Sequence, residues 1–198
     1  VAGALTVFPI LFLEQFLDGF TGLFPGLLAA AWKAFAVAAF SEELLKFIAL
    51  YLIIWKSPEF NEKFDGIVYA VFVSLGFAAV ENVLYVTGSG FSTGISRAIT
   101  AVPAHAIFGV TMGFYFGMAR FFERERMQFK AKALLYPILL HGIYDFILFT
   151  GMEWLTVVFI GFLVFLYFSG LKRIKKLSDQ SFYKTDYNLL NQKFSKPD

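Results

Sequence analysis

The 198-residue sequence contains no cysteine and few charged residues. The absence of cysteine excludes disulfide bonds, cysteine-ligated zinc, iron–sulfur clusters and a thiol nucleophile. Charged residues make up 16% of the chain, whereas a typical soluble domain has about 25%. Hydrophobic residues make up 58%, phenylalanine alone supplies 27 residues, and the mean hydropathy is +0.66. This composition is typical of a protein that spans a lipid bilayer.

Apolar runs of about 20 residues, the length that crosses a bilayer as an α-helix, occur six times. They cover residues 1–17, 27–55, 64–87, 95–122, 131–150 and 154–171. The sequence therefore predicts an all-α integral membrane protein, with a bundle of about six transmembrane helices at 1–171 and a basic cytoplasmic tail at 172–198. Gly109, Gly113 and Gly117 form a small-xxx-small face that predicts close helix packing. Because Val1 already lies in an apolar run, we expect native residues to precede it.

The distribution of lysine and arginine predicts the orientation of the chain, because cytoplasmic loops carry an excess of both. If the visible N-terminus faces the cytoplasm, all basic residues except three fall in inside segments. Lys33 and Lys46 lie within the second apolar run, and Arg97 is the one basic residue in the outside loops. We therefore expect the visible N-terminus and the C-terminus to be cytoplasmic.

Several ionisable residues interrupt the apolar runs. Glu42, Glu43 and Lys46 lie in the second run, and the next three runs contain Glu81, His105, His141 and Asp145. A charged group at bilayer depth is costly unless it is paired or faces a wet cavity, so such residues are candidates for a functional site. At about 1.5 Å per residue, all of them fall within a slab roughly 8 Å thick between the midplane and the outer interface. This shared depth predicts one buried reaction centre.

Helical spacing refines that prediction. Lys46 lies three and four residues after Glu43 and Glu42, so it can pair with at least one of them. His141 and Asp145 are also four residues apart and share a helix face. Adjacent glutamates point about 100° apart on a helix, so one is expected to face the site while the other contacts a neighbour.

Four short motifs resemble those of the PrsW family of intramembrane proteases. Residues 42–46 match EExxK, 77–82 match FxxxEN, 105–109 match HxxxG and 141–145 match HGxYD, in the family's order and one per helix. The family is related to the CAAX prenyl endopeptidases and bacteriocin-processing enzymes, whose second motif carries histidine where this chain has Glu81. The resemblance implies a prokaryotic plasma (inner) membrane protease that cleaves a single-pass membrane protein, such as an anti-sigma factor, in the outer half of the bilayer. No nucleic-acid partner is expected.

Peptide hydrolysis needs an activated water, a donor to the oxyanion and an acid for the leaving amine. The sequence favours Glu42 as general base, although Glu43 is nearly as good a candidate, with Lys46 and the second glutamate positioning it. His105 would orient the water or carry the proton. His141, held by Asp145 or Asn82, would donate to the oxyanion, and Glu81 is a supporting residue.

Two alternatives remain open. The metal-free mechanism is favoured, but His105, His141 and Glu42 would also form a ligand set for zinc, giving an intramembrane metalloprotease. A proton-coupled transporter would also bury Glu, His, Asp and Lys, although such proteins usually distribute them across the full membrane depth and often contain inverted repeats.

Overall fold

The computed structural model of the protein describes residues 1–184, and within that range it contains helices and no strand. The first helical stretch consists of α1 (Ala2–Leu5) and α2 (Val7–Asp18), followed by a 3₁₀ turn (Thr21–Leu23). The second is continuous and consists of α3 (Leu27–Ala31), a nine-residue π-helix (Trp32–Phe40) and α4 (Ser41–Ile54). The remaining elements are α5 (Lys63–Ser89), α6 (Phe91–Ile99), α7 (Ala101–Phe121), α8 (Arg126–Phe149) and α9 (Leu155–Ser178).

The prediction of an all-helical membrane bundle is confirmed. In the described part of the chain, five helical stretches are long and apolar enough to cross a bilayer: Ala2–Leu23, Lys63–Ser89, Phe91–Phe121, Arg126–Phe149 and Leu155–Ser178. The predicted run at 27–55 is also helical, but it carries four charged residues, Lys33, Glu42, Glu43 and Lys46. The predicted span with the most charged residues is thus the one that contributes most to the candidate site.

The helix predicted at 95–122 is divided in two. Thr100, with φ −118° and ψ −64°, separates α6 from α7. Pro103 lies in the first turn of α7, and a proline nitrogen cannot donate to the carbonyl four residues earlier, which weakens helical continuity at this point. As a result, α7 begins close to His105, and α6 is a separate element that can pack against the end of α5.

The glycine face of α7 packs directly against the backbone of α5, as the sequence predicts. A Cβ atom at Gly113 would lie 2.2 Å from the carbonyl oxygen of Gly66, and one at Gly117 would lie 2.2 Å from that of Lys63. Further along, the Ser74 hydroxyl donates to the backbone carbonyl of His105 over 2.7 Å. The close approach of α5 and α7 therefore fixes the backbone that carries His105.

The last helix ends at Ser178 rather than at the predicted residue 171. The residues beyond it contact the start of α5, where the Lys63 ammonium donates to Gln180 over 2.9 Å and the Ser181 hydroxyl donates to Glu62 over 3.0 Å. The part of the predicted tail at 185–198 lies outside the described residues. The division into a bundle at 1–171 and a basic tail at 172–198 stays a prediction.

Candidate active site

Four buried side chains from three helices meet in the bundle. Glu42 and Glu43 come from the first turn of α4, His105 from α7 and His141 from α8. All four are at most 3% exposed. One ligand atom from each can be chosen so that all four atoms lie within 4.8 Å of one another. The four residues placed at one depth by counting along the sequence therefore form a single cluster.

Lys46 provides the positive charge inside this cluster. Its Nζ atom lies 2.9 Å from Oε2 of Glu42, 2.9 Å from Oε1 of Glu43 and 3.3 Å from Nδ1 of His105. The ammonium also lies 4.1 Å from the centre of the Phe77 ring, which adds a cation–π contact. Lys46 is 1% exposed, so this charge is held by the protein rather than by water.

The two histidines have the same orientation relative to the cluster. Nδ1 of His105 faces Lys46, and its Nε2 lies 3.1 Å from Oε2 of Glu81. Nδ1 of His141 lies 3.0 Å from Oε1 of Glu43, and its Nε2 lies 3.2 Å from Oδ2 of Asp145. In each ring one nitrogen faces the glutamate pair and the other faces a separate carboxylate. Histidines that bind metals are usually held in this way, because the outer carboxylate fixes the tautomer and the direction of the ring.

Aromatic rings enclose the histidines. Phe108 stacks on His141 with a centroid separation of 4.9 Å and an interplanar angle of 17°. Phe77 meets His105 edge to face at 5.6 Å. Gly142 brings α8 against the π-helix, since a Cβ atom there would lie 2.1 Å from Cδ1 of Phe35. This packing limits the ring positions that His105 and His141 can adopt.

The cluster opens into a cavity of about 610 Å³. Glu42, Glu81, His105, His141 and Asp145 line it, as the sequence predicts for a shared site. Of the two adjacent glutamates, Glu42 lines the cavity, whereas Glu43 and the nearby Lys46 do not. The difference follows from the angle between adjacent helical positions: Glu42 faces the cavity while Glu43 contacts His141.

Asn82 has a different partner from the one considered for it. Of the two residues expected to hold His141, Asp145 contacts the ring, whereas the Asn82 amide donates to the backbone carbonyl of Gly94 over 3.2 Å. Asn82 therefore connects α5 to α6 at the rim of the site.

The sequence did not identify every residue of the cavity wall, and it suggested a different role for one of them. Glu14 on α2 lines the cavity, and its presence in the apolar run at 1–17 was the signal that could have identified it. Arg97, interpreted only as part of an outer loop, donates from NH2 to Oε2 of Glu81 over 2.6 Å. Tyr85 and Tyr144 also line the cavity, but aromatic residues are too frequent in this sequence to single them out.

The donor set fits a divalent cation. Two histidine nitrogens and two carboxylates are ligands that zinc accepts, and here they converge without any cysteine. Oε2 of Glu43 is buried and has no hydrogen-bond partner among the described residues. The Lys46 ammonium is held by three of the same side chains, so the cluster already accommodates a positive charge at this position.

The fold and the site together indicate the class of protein. It is a polytopic membrane protein in which buried carboxylates and histidines surround a cavity and form a candidate hydrolytic centre. The model of the family described as "PrsW family intramembrane metalloprotease" matches residues 1–171, and the chain belongs to this family. It is thus a multi-pass membrane protein and an intramembrane protease, which replaces the transporter alternative.

Curated relatives agree with this assignment. "Protease PrsW" of Geobacillus kaustophilus (strain HTA426) is 39% identical over 175 residues, covering 88% of this chain and 75% of the relative. "Protease PrsW" of Bacillus subtilis (strain 168) is 40% identical over 178 residues, covering 88% and 78%. "Protease PrsW" of Clostridioides difficile (strain 630) is 35% identical over 185 residues, covering 90% and 77%. No solved structure matches the chain.

These findings do not support the two mechanisms considered from the sequence equally. The family is described as a metalloprotease family, and the cluster has the composition and spacing of a metal site. They favour the metal-dependent alternative over the metal-free glutamate mechanism that the sequence favoured. The four-residue cluster also adds Glu43 to the ligand set of His105, His141 and Glu42 considered from the sequence.

Proposed function

We propose that the protein is a metal-dependent intramembrane endopeptidase whose centre is built from Glu42, Glu43, His105 and His141. The observation that carries the proposal is the convergence of one donor atom from each residue within 4.8 Å. The inward direction of both Nδ1 atoms supports it, since each ring has its other nitrogen against a carboxylate. Zinc is the simplest occupant, because a catalytic zinc site commonly combines histidine with carboxylate.

The two glutamates have different roles in this proposal. Catalytic zinc sites use three protein ligands and keep one position open, so one glutamate is surplus to the ligand set. Glu42 lines the cavity, from which water and substrate arrive, whereas Glu43 lies behind it against His141. We therefore assign Glu43, His105 and His141 to the metal and Glu42 to general-base catalysis.

The chain's own residues then account for the proton transfers. When bound, the metal ion would activate water and polarise the scissile carbonyl. Glu42 accepts a proton from the attacking water and delivers it to the leaving amine. Asp145 and Glu81 hold His141 and His105 in the orientation that presents Nδ1 to the centre. Phe77 and Phe108 limit access of bulk water to the two rings.

The substrate is a membrane-embedded protein, which we propose to be a single-pass protein such as an anti-sigma factor. The cavity is lined by residues at helix ends on one side of the bundle, among them Asp18, Ser89 and Arg97. These ends adjoin the loops that the lysine and arginine distribution assigns to the outside. We therefore propose cleavage in the outer half of the membrane, with the visible N-terminus and the C-terminus cytoplasmic.

The direct test uses purified protein in lipid nanodiscs with a labelled single-pass substrate. The expected result is a loss of cleavage after treatment with a membrane-permeable zinc chelator and full recovery on adding one equivalent of zinc. Metal analysis of the purified protein should give one ion per chain, and the His105→Asn variant should contain much less. Cleavage that continues unchanged in protein stripped of metal would overturn the metal-dependent proposal.

One observation favours the metal-free alternative as a second candidate. The Lys46 ammonium lies 2.9 Å from both glutamates, which neutralises part of their charge without a metal. In that mechanism Glu42 would still be the general base, and His105 and His141 would act as hydrogen-bonding residues. The same chelation experiment separates the two, since only the metal-dependent enzyme needs zinc to recover.

A further inference from the structure

Arg97 has a position that topology does not explain. The lysine and arginine distribution assigns every other basic residue either to an inside segment or to the second apolar run. Positively charged loop residues are normally retained on the cytoplasmic side, so a single arginine on the opposite side has no role in orientation. In the structure Arg97 lies in the last turn of α6, and its side chain lines the cavity.

The Arg97 guanidinium is fixed on two sides. NH2 donates to Oε2 of Glu81 over 2.6 Å, which is a short, charge-assisted contact. The guanidinium carbon lies 3.6 Å from the centre of the Tyr85 ring, so the planar group stacks on the aromatic face. The Arg97 and Glu81 side chains are only 19% and 16% exposed, which distinguishes this pair from an ordinary surface ion pair.

The same oxygen of Glu81 also contacts His105. Oε2 lies 3.1 Å from Nε2 of His105 and 2.6 Å from NH2 of Arg97. With Nε2 donating to Glu81, the lone pair of His105 is on Nδ1, which faces the cluster. An arginine that fixes this oxygen therefore also fixes the direction in which His105 presents its free nitrogen.

The helix that carries Arg97 is itself attached to α5. The Asn82 amide donates to the backbone carbonyl of Gly94 over 3.2 Å, one turn before Arg97. A Cβ atom at Gly94 would lie 2.1 Å from Cγ2 of Val86, so glycine permits close contact between the helices. Glu81, Asn82, Tyr85 and Val86 all belong to α5. Arg97 is thus held against the face of α5 that presents Glu81.

We propose that Arg97 is a positioning residue for the metal centre and acts through Glu81 on His105. The proposal rests on the metal-dependent function proposed above. It assigns α6 a role in catalysis that none of the four sequence motifs covers. The predicted role is one of orientation: without Arg97, Glu81 loses the contact that directs Oε2 toward Nε2, and His105 is no longer held with Nδ1 inward.

The test compares Arg97→Gln and Arg97→Lys with Arg126→Gln. Arg126 forms an ion pair with Glu123 of similar length, 3.0 Å, but lies at the start of α8, away from the cavity. Zinc affinity is measured by competition with a chromophoric chelator in detergent. We expect Arg97→Gln to weaken zinc binding by about tenfold, the lower end of the effect of removing a group that contacts a metal ligand directly, because Arg97 acts on His105 only through Glu81. Arg97→Lys should recover part of the affinity, and Arg126→Gln should equal wild type.

A second readout does not depend on metal. The chain contains only two histidines, so selective ¹⁵N labelling gives one pair of ring signals from His105 and one from His141. In metal-free wild type, His105 should be a single tautomer with its proton on Nε2. In metal-free Arg97→Gln, His105 should no longer be restricted to that tautomer, while the signals of His141 stay unchanged. A purely structural role for Arg97 would lower the unfolding temperature without this selective change.

The outcomes separate the two proposals. Zinc affinity and His105 signals that both match wild type in Arg97→Gln would overturn the positioning role. If wild type binds no zinc but Arg97→Gln still alters the His105 signals alone, the metal-dependent function fails and the positioning of His105 by Arg97 stands. In the active enzyme, the positioning role also predicts a fall in kcat with little change in KM.

Discussion

Oε1 of Glu43 lies 3.0 Å from Nδ1 of His141, although 98 positions separate the two residues in the chain. Both side chains are buried, and Asp145 holds the opposite nitrogen of the ring at 3.2 Å. The contact joins α4 to α8 at the centre of the bundle. Glu43 therefore serves both the packing of the bundle and, in the proposed function, the binding of the metal.

Glutamine substitutions should separate the roles of the two glutamates. Glu42→Gln keeps the side-chain volume but removes the proton acceptor, so kcat should fall by about 10²- to 10⁴-fold while zinc content stays near wild type. Glu43→Gln should lower both zinc content and kcat, because it alters a proposed ligand. The measurements are kcat on the labelled substrate and metal content of the purified variants.

Glu123→Gln is the matched control for both glutamates, since the Glu123 side chain is 85% exposed and lies just after the end of α7 that is opposite to His105. It should retain wild-type kcat and zinc content. Full activity in Glu42→Gln would exclude Glu42 as the base. Normal zinc content in Glu43→Gln, together with loss of zinc in Glu42→Gln, would exchange their roles.

Much of this site could be predicted from the sequence because membrane depth and helical period constrain the same residues. Glu42, Glu43, His105 and His141 could be placed at one depth by counting from helix centres, and spacing paired Lys46 with the glutamates. The separate directions of Glu42 and Glu43 followed from the angle between adjacent helical positions. These predictions needed only the location of apolar runs.

Other features depend on tertiary contacts that periodicity does not encode. Nε2 of His105 contacts Glu81 of α5, and Arg97 of α6 contacts the same carboxylate oxygen, so the surroundings of this ring depend on side chains from different helices. The break at Thr100 makes α6 a separate helix that packs against α5, and Arg97 lies on this helix and not in an outer loop. Glu14 belongs to a run with no motif, and its contribution to the cavity wall depends on the packing of α2 beside the site.

Asp145→Asn should weaken zinc binding without unfolding the protein. The carboxylate lies 3.2 Å from Nε2 of His141, and the amide of asparagine can still hydrogen-bond there but carries no charge. Loss of such an outer carboxylate typically costs 10- to 100-fold in metal affinity or activity. Zinc competition and thermal unfolding should be measured together. A variant with wild-type zinc affinity would show that Asp145 does not support His141 as a ligand.

Gly113→Ala should destabilise the bundle strongly. The added Cβ would lie 2.2 Å from the carbonyl oxygen of Gly66, and a backbone atom in a packed helix cannot move aside as a flexible side chain can. We expect a lower unfolding temperature in detergent and reduced activity, because the same helix carries His105.

Gly161→Ala is the control, since no atom lies within 4 Å of its added Cβ. It should be neutral or slightly stabilising, as alanine favours helix by about 1 kcal/mol over glycine. Equal unfolding temperatures for the two variants would contradict the close packing of α5 and α7.

Lys46→Met tests whether the ammonium and the metal compete for the same donors. Nζ of Lys46 contacts Glu42, Glu43 and His105, so a cation held by these side chains has to replace it. Without zinc, the variant should lose about 3–5 kcal/mol of stability, because two buried carboxylates lose their partner. Zinc should bind at least tenfold more tightly than in wild type, since a competing positive charge is gone, an effect worth about 1.4 kcal/mol or more. A zinc concentration 100 times the dissociation constant would then restore about 2.7 kcal/mol, seen as a zinc-dependent rise in unfolding temperature.

Lys33→Met is the matched control, because Lys33 lies in the same helical stretch but pairs with Asp18 at the cavity mouth, 3.7 Å away, with its side chain 49% exposed. It should leave zinc affinity unchanged. A folded Lys46→Met variant that binds zinc no more tightly than wild type would show that the ammonium and the metal do not share these donors.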